Sequence, residues 1–599
     1  MNTARRAAAI FGAFASLAAS AHAQGKVNRY GNPEKVAPAP TTGAITVRDL
    51  QIRLYQYADD SMQGRQIGRI GNKKATDYIA SELKRLKVTP AGDNGTYFQL
   101  LPYHFRLFTN HSRLQVDGNP LAWEKDWLAT PGTQAPRPIA DVPVIFGGTI
   151  GDTTNQVSAA QAAGKFVVLL PAPASAAPTG FAGRGGGRGG FVNPLARFTG
   201  AVAVATVDLD ALSPAARAQI NQPVVATAAG GGRGPGGRGG QGAPADSLAI
   251  LHAQINQLAP QANIRLTRSA AAGLFGKRPI ETLAAGATGG TVTASLDYVV
   301  LPSDNARNVV GIIPGSDPVL KNQYVAIGAH NDHVGMRAPV DKDSLKAFND
   351  IRNRLLIANK MVQLDQQQLA AIRVNMDSIR KIHPKPRLDS IANGADDDGS
   401  GSMAVLEIAE HIASMQVKPK RSTLFVWHTG EEAGLLGSAY YVANPTVPLD
   451  SIVAQINIDM IGRGRAEDLP GGGDDYLGVV GSYFDSKDLG DQVADANKKL
   501  AKPFRLDYQF DSTTTWSGYN NIYGRSDHFN YARAGIPIAF FFTGLHGDYH
   551  QPSDEPEYID YPHYAAITNY VSGLLVNVAN GPRPRINGTR PAKPPKPQP

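Results

Sequence analysis

Five short polar clusters carry the residues with chemistry in them. His330-Asn331-Asp332-His333 follows an apolar run that ends at Ala329. Asn393-Gly394-Ala395-Asp396-Asp397-Asp398-Gly399-Ser400-Gly401 opens a helical pattern. Glu431-Glu432 closes the run Leu424–Trp427 and leads into a glycine-punctuated turn, Gly434-Leu435-Leu436-Gly437-Ser438. Asn457-Ile458-Asp459-Met460-Ile461-Gly462 ends a fourth segment, and Gly544-Leu545-His546-Gly547-Asp548-Tyr549-His550-Gln551-Pro552-Ser553-Asp554 follows a fifth, Ile536–Phe542. Imidazole and carboxylate without thiolate is the donor set of a catalytic rather than a structural zinc site. The acids suffice for two metals sharing one carboxylate, an arrangement that clamps both oxygens of a tetrahedral intermediate. Two adjacent acids, Glu431 and Glu432, can divide the work, one holding a cation and the other a proton. Asp459 at the end of an apolar strand is costly unless paired or bound to a cation. Tyr549 can hydrogen-bond a developing oxyanion. Spacing leaves open which acid of each run ligates, and His546 and His550 compete for one role. Taken singly, each cluster also fits a solvated loop: three acids at a helix N-terminus complement its dipole. An EF-hand is excluded by the missing Asp/Asn spacing and distal Glu.

The elements that must position these clusters form an alternation. From Val299 onward, strands at Asn308–Ile313, Tyr324–Ala329, Leu424–Trp427, Val453–Ile458 and Ile536–Phe542 alternate with helical patterns. That order predicts an α/β fold with a mixed, mostly parallel sheet flanked by helices. In such sheets ligands and catalytic groups collect at strand ends. Met403–Ala413 reads as a helix with Val405, Ile408, Ala409 and Ile412 on one face. A polar stretch over about 336–392, with helical patterns at Ser344–Leu364 and Gln367–Lys381, reads as an insertion projecting from the sheet. Upstream, 43–110 holds helical patterns at Val47–Tyr57 and Lys73–Leu86. The segment 111–296 changes character. Its short β-like runs, Val142–Phe146, Phe166–Leu170 and Ala201–Val207, are interrupted by Gly-Arg runs at Gly183–Gly190 and Gly230–Gly242. Such runs bury too little apolar area to order themselves. No catalytic cluster falls here, so the segment reads as an accessory domain inserted into the 297–580 catalytic domain.

Composition sets outer limits. A chain of 599 residues exceeds one core and predicts two or three domains. Much of the net charge of +8 sits in the Gly-Arg runs and the Pro-rich tail 581–599. No basic run interleaves with aromatics, so no nucleic-acid partner is expected. Residues 1–23 read as a secretory signal: Arg5 and Arg6, an apolar Ala7–Ala19 too short to span a bilayer, and Ala21-His22-Ala23 as cleavage site. A flexible lead-in follows over 24–42. The absence of Cys excludes disulfides, thiolate metal sites, a Cys nucleophile and a lipid anchor on Cys. The expected location is therefore periplasmic or extracellular, with no membrane span.

The ordered set His330-x-Asp332, Asp396-Asp397-Asp398-Gly399, Glu431-Glu432-x-Gly434, Asp459-Met460-Ile461-Gly462 and Tyr549-His550 resembles the secreted co-catalytic di-zinc aminopeptidase family of metallopeptidase clan MH. Asn308-Val309-Val310-Gly311 and Ser526-Asp527-His528 add smaller matches. The resemblance implies the zinc-exopeptidase fold and two zincs, with His330, Asp397, Glu432, Asp459 and His550 as ligands and Asp397 bridging. It implies Glu431 as general base toward a metal-bridged water, Asp332 as its supporting residue and Tyr549 assisting the oxyanion. It leaves His333, His428, His528 and His546 as non-ligands. The insert resembles a protease-associated domain at Gly164–Leu170 and Gly200–Ala205, although its Gly-Arg loops depart from the usual form. The function implied is release of N-terminal residues from peptides. Carboxypeptidases, glutaminyl cyclases and non-catalytic binding relatives share the scaffold. The complete ligand set weighs against the cyclase and the binder, while Arg463, Arg465 and Arg525 keep the carboxypeptidase open.

Overall fold

A computed structural model of the chain describes residues 28–588 apart from 133–135, 153, 173–194, 213–216, 218–219, 222–223, 226–259, 360–363 and 512–521. The expected leader, both Gly-Arg runs and residues 589–599 of the tail lie outside the described residues. Two compact units result: Met1–Gln99 with Asn308–Pro599, and Leu100–Arg307.

In the first unit a nine-stranded mixed sheet runs Thr89–Pro90, Arg307–Ile313, Ser422–His428, Tyr324–His330, Ile452–Ile458, Ile538–Phe542, Tyr476–Val480, Arg505–Asp507, with Phe98–Leu100 also pairing to Arg307–Ile313. The four central strands, from Ser422–His428 to Ile538–Phe542, are parallel, and antiparallel neighbours flank them. Ser422–His428 and Ile452–Ile458 are buried along their whole length. That is why they read as continuous apolar runs rather than alternating ones. His330 lies opposite His428 in the register, which sets the two strand ends level.

Helices cover the sheet. Gly401–Ser414 buries Met403, Val405, Leu406, Ile408, Ala409 and Ile412. The C-terminal helix Tyr561–Asn580, capped by Asp560, escaped sequence periodicity because buried residues occur almost all round it. The 336–392 insertion is anchored by a two-stranded ribbon, Met336–Asp341 with Leu388–Ile391. Its first helix is Lys342–Ala358. The second expected helix is instead two, Gln366–Ala371 and Met376–Ile382, because Asn375 caps a new start by accepting from the Ser378 N–H.

The second unit holds an eight-stranded sheet around Trp127, Phe166, Val168, Ala205 and Leu266. A smaller sheet pairs His104–Phe108 with Tyr298–Pro302, strands nearly 200 residues apart in sequence. This long-range pairing draws the unit's limits to Leu100 and Arg307, outside the 110/111 and 296/297 divisions that composition marks.

One buried cation ties three helices of the first unit. Arg53, on Val47–Tyr57, is fully buried. Its Nε lies 2.6 Å from Glu407 on Gly401–Ser414 and its Nη1 2.9 Å from Glu82 on Ile70–Arg85, while Nη2 reaches Glu410. Burial pushes the Glu407 carboxyl up to about 7 even against the pull of Arg53. Removing the cation strands carboxylates in the interior. Arg53→Met is therefore expected to cost about 3–5 kcal/mol of unfolding free energy, read from urea denaturation; a loss below about 1 kcal/mol would show that the carboxylates relax to solvent.

Candidate metal centre

The parallel strands deliver their C-terminal ends to one place. His330 ends Tyr324–His330, and Asp459 follows Ile452–Ile458. The pair Glu431-Glu432 lies just past Ser422–His428, and His550 lies on the loop after Ile538–Phe542. The loop 394–401 comes between them and opens the helix Gly401–Ser414. Gly394 has φ +56°, and a Cβ there would stand 2.5 Å from the His333 ring.

The three consecutive acids of this loop, which spacing does not tell apart, point three ways. Asp396 Oδ1 accepts from the Gly462 N–H at 2.7 Å and from Ser400 Oγ at 2.9 Å. Asp398 accepts from the backbone N–H groups of His330, Gly401 and Met460 at 3.0, 2.8 and 3.2 Å. Those two bind the strand ends together. Asp397 alone faces the cluster. Its Oδ1 is 3.1 Å from His330 Nε2, and its Oδ2 is 3.0 Å from His550 Nε2. His330 Nε2 also lies 3.8 Å from Asp459, and His550 Nε2 lies 2.9 Å from Glu432. The five expected ligands thus form two groups joined at Asp397: His330, Asp397 and Asp459 on one side, Asp397, Glu432 and His550 on the other.

His333 joins the second group, with Nδ1 2.9 Å from Glu432 Oε1. The resemblance leaves His333 out of the ligand set, yet its ring lies beside the second group, in room that Gly394 provides by carrying no Cβ. The other histidines stay outside these groups. His428 Nε2 meets the Tyr531 hydroxyl at 3.0 Å, His528 Nε2 meets the Tyr523 carbonyl at 2.8 Å, and His546 Nε2 lies 3.2 Å from Asp396.

Supporting groups fix the donors. Asp332 Oδ1 accepts from the N–H groups of Gly430 and Glu431 at 2.7 and 3.1 Å, holding the turn that carries both glutamates. Tyr549 stacks on His550, and Arg525 Nη2 donates to its hydroxyl at 3.3 Å. Asp554, the last residue of the fifth cluster and one to which the sequence assigns no role, accepts from the N–H groups of Asp396 and Asp397, both at 3.1 Å. The loop carrying His550 is braced by the insertion: Lys346 Nζ lies 2.9 Å from Asp548, and Asn349 donates to Ser553 at 2.9 Å.

The donors fit a divalent cation. Asp397 Oδ2, Glu432 Oε1 and both ring nitrogens of His333 and His550 are buried without an aligned hydrogen bond. Buried polar atoms ordinarily find partners, and a cation in their midst satisfies several at once. Burial would lower His550, but Glu432 and Asp397 outweigh it and hold the ring up at about 10. Burial likewise opposes protonation of His330, and Asp459, Asp332 and Asp397 raise it well above the usual range. Burial pushes Glu431 well above the carboxylate range against His330, with Glu432 and Asp459 adding to the rise. A cluster that concentrates protons in this way exchanges them for a metal.

A carboxylate joining two sets of nitrogen and oxygen donors at the strand ends of an α/β sheet is an arrangement that can hold metal ions for hydrolysis. Residues 308–575 match the model of Peptidase family M28. The chain is similar to Leupeptin-inactivating enzyme 1 of Streptomyces exfoliatus, 34% identical over 160 residues, covering 26% of this chain and 31% of that one. It is also similar to a probable leucine aminopeptidase of Arthroderma benhamiae, 27% identical over 221 residues, covering 36% and 55%. The chain thus spans about a third to a half of the length of these curated relatives. Among solved structures it is similar to a zinc aminopeptidase from Bacillus subtilis at 16% identity and a TM-score of 0.45, with 92% and 98% of the two chains covered.

The grip of Asp554 on the Asp396 and Asp397 amides generates a prediction. Asp554→Ala leaves the Asp397 carboxylate free to turn. Metal affinity of the purified protein, measured by chelator competition, should fall about 10–100-fold. Unchanged affinity would mean that Asp396 and Asp398 hold the loop unaided.

Proposed function

We propose that the chain is an exported zinc-dependent aminopeptidase with two zincs per chain. The observation that carries the proposal is Asp397, whose two oxygens face two separate donor groups. A sulfur-free set of imidazoles and carboxylates suits zinc with open positions. When bound, zinc supplies Lewis acidity toward a peptide carbonyl and an attacking water. The remaining work belongs to the chain. Glu431, oriented through Asp332, takes a proton from the water and returns it to the leaving amine, a task suited to a carboxyl held above its usual range. Tyr549, with Arg525 at its hydroxyl, donates to the oxyanion on the former carbonyl. The ligand roles of His330, Asp397, Glu432, Asp459 and His550 belong to the same proposal, as does export through the 1–23 leader. The 111–296 insert is proposed as a protease-associated-like domain.

Charge around the centre supports cutting from the amino end. Glu432 and Asp459 bring carboxylates to the donor groups beside which a substrate ammonium would dock. A carboxypeptidase needs a guanidinium to fork onto the C-terminal carboxylate. Arg463 is already held by Asp468 at 2.6 Å and Asp548 at 3.3 Å, and Arg465 by Asp560 at 3.2 Å. That leaves Arg525, stationed at Tyr549, as the rival's candidate.

Two tests follow from this. Acetylating the amino end of a good peptide substrate should abolish cleavage, while amidating its carboxyl end should barely change it, as read by mass spectrometry; the reverse pattern would make the enzyme a carboxypeptidase. Glu431→Gln should keep its metal and lose about 10²–10⁴-fold in kcat, whereas Glu432→Gln should lose metal. If the two variants exchanged these behaviours, the division of roles within the pair would be wrong.

A further inference from the structure

The histidine that the motif left aside changes the balance of the centre. His333 is only 1% exposed. Its backbone N–H donates to the Arg65 carbonyl at 3.2 Å, and its ring lies against Gly394. Nδ1 approaches Glu432 Oε1 at 2.9 Å and Asp397 Oδ2 at 3.6 Å, yet neither ring nitrogen makes an aligned hydrogen bond. His550 Nε2 behaves alike, 2.9 Å from Glu432 Oε2 and 3.0 Å from Asp397 Oδ2 without alignment. Close approach without alignment is how ligands of one cation meet, since their lone pairs aim at the ion and not at each other.

The four residues each bring one donor atom within 4.8 Å of the others, close enough to share one ion. Zinc–nitrogen and zinc–oxygen bonds of about 2.0–2.2 Å put the corners of a ligand tetrahedron about 3.3–3.6 Å apart. The contacts among His333, Asp397, Glu432 and His550 run from 2.9 to 3.6 Å, three of them shorter than that spacing, with Glu432 turning Oε1 to His333 and Oε2 to His550. The other position gathers three residues, His330, Asp397 and Asp459.

Resting on the di-metal reading above, we propose that His333 is a fourth protein ligand of the position formed by Asp397, Glu432 and His550. The two positions are then unequal. Four protein donors close one of them, as in structural zinc sites, and three leave the other open, as in catalytic ones. The closed position fills first and holds its metal more tightly. The open position, on the His330 and Asp459 side, receives water and substrate.

The test compares the full chain with His333→Ala and His333→Asn. Asparagine keeps a hydrogen-bonding group near the Nδ1 position and is a poor zinc ligand, so it separates ligation from mere support of Glu432. Each chelator-stripped protein is titrated with Zn2+ against a competing indicator, and bound metal is counted by mass spectrometry. Circular dichroism checks the fold, and the visible spectrum of the first Co2+ equivalent reports the donor set. The wild type should take two metals in two distinguishable steps. Both variants should weaken the tighter step by about 10-fold or more, leave the weaker step within about twofold, and change the first Co2+ spectrum. Should His333→Ala fail to fold, His333→Asn alone decides. A His333→Asn protein with the wild-type tight step and spectrum would overturn the proposal and leave His333 as a positioning residue. Two equal steps in the wild type would also overturn it. A wild type that binds no metal would instead bring down the di-metal reading itself.

Discussion

The centre depends on one carboxylate being held so that its two oxygens look in opposite directions. A free aspartate turns about its side-chain bonds and would follow whichever partner is nearer. Here the backbone that bears it is clamped. Asp554 takes the amides of Asp396 and Asp397, Asp396 takes the Gly462 amide, and Asp398 gathers three amides from His330, Gly401 and Met460. Buried carboxylates are costly unless hydrogen-bonded, and these are met by main-chain donors, which cannot swing away. The sheet register brings the His330 strand end to this loop, and the buried Arg53 fixes the helix that starts from it. Distant parts of the first unit therefore bear on the direction of one side chain.

Much of this was legible in the sequence, and the part that was not has a common cause. The central strands were visible because they are buried on both faces and so appear as unbroken apolar runs. The clusters at their ends were visible because charged residues beside such runs need a reason. Five ligand candidates, Glu431 and Asp332 all fall within one neighbourhood. What stayed hidden depends on the third dimension. Nothing in the spacing tells Asp397 from Asp396 and Asp398, since only the resemblance singled it out and only the contacts distinguish their directions. Asp554 sits in a loop without periodicity, more than 150 residues from the amides it accepts. His333 was set aside because the motif does not use it, and the glycine that leaves room for its ring lies about 60 residues downstream.

The same reasoning covers the architecture. The division between the units follows from His104–Phe108 finding its partner at Tyr298–Pro302, a pairing that composition does not register. The C-terminal helix Tyr561–Asn580 lacks a polar face strong enough to set its period. The insertion read as a projection, yet its first helix is tied by Lys346 and Asn349 to the loop that carries His550. It braces the centre as well as extending from the sheet.

Adjacent acids in this chain consistently receive opposite assignments, and the reason is geometric. On a turn, neighbouring side chains leave the backbone in different directions, so two consecutive carboxylates reach two different surroundings. Glu432 meets His333 and His550, whereas Glu431 is held by its own amide to Asp332 and pushed upward in pKa by burial and by Glu432 itself. In the triplet, one acid faces the donors and the two beside it lock the loop. A run of acids that looks redundant in sequence is thus a set of distinct parts. Replacing one by its neighbour's chemistry, even Asp by Asp one position along, would point the carboxylate at the wrong partners.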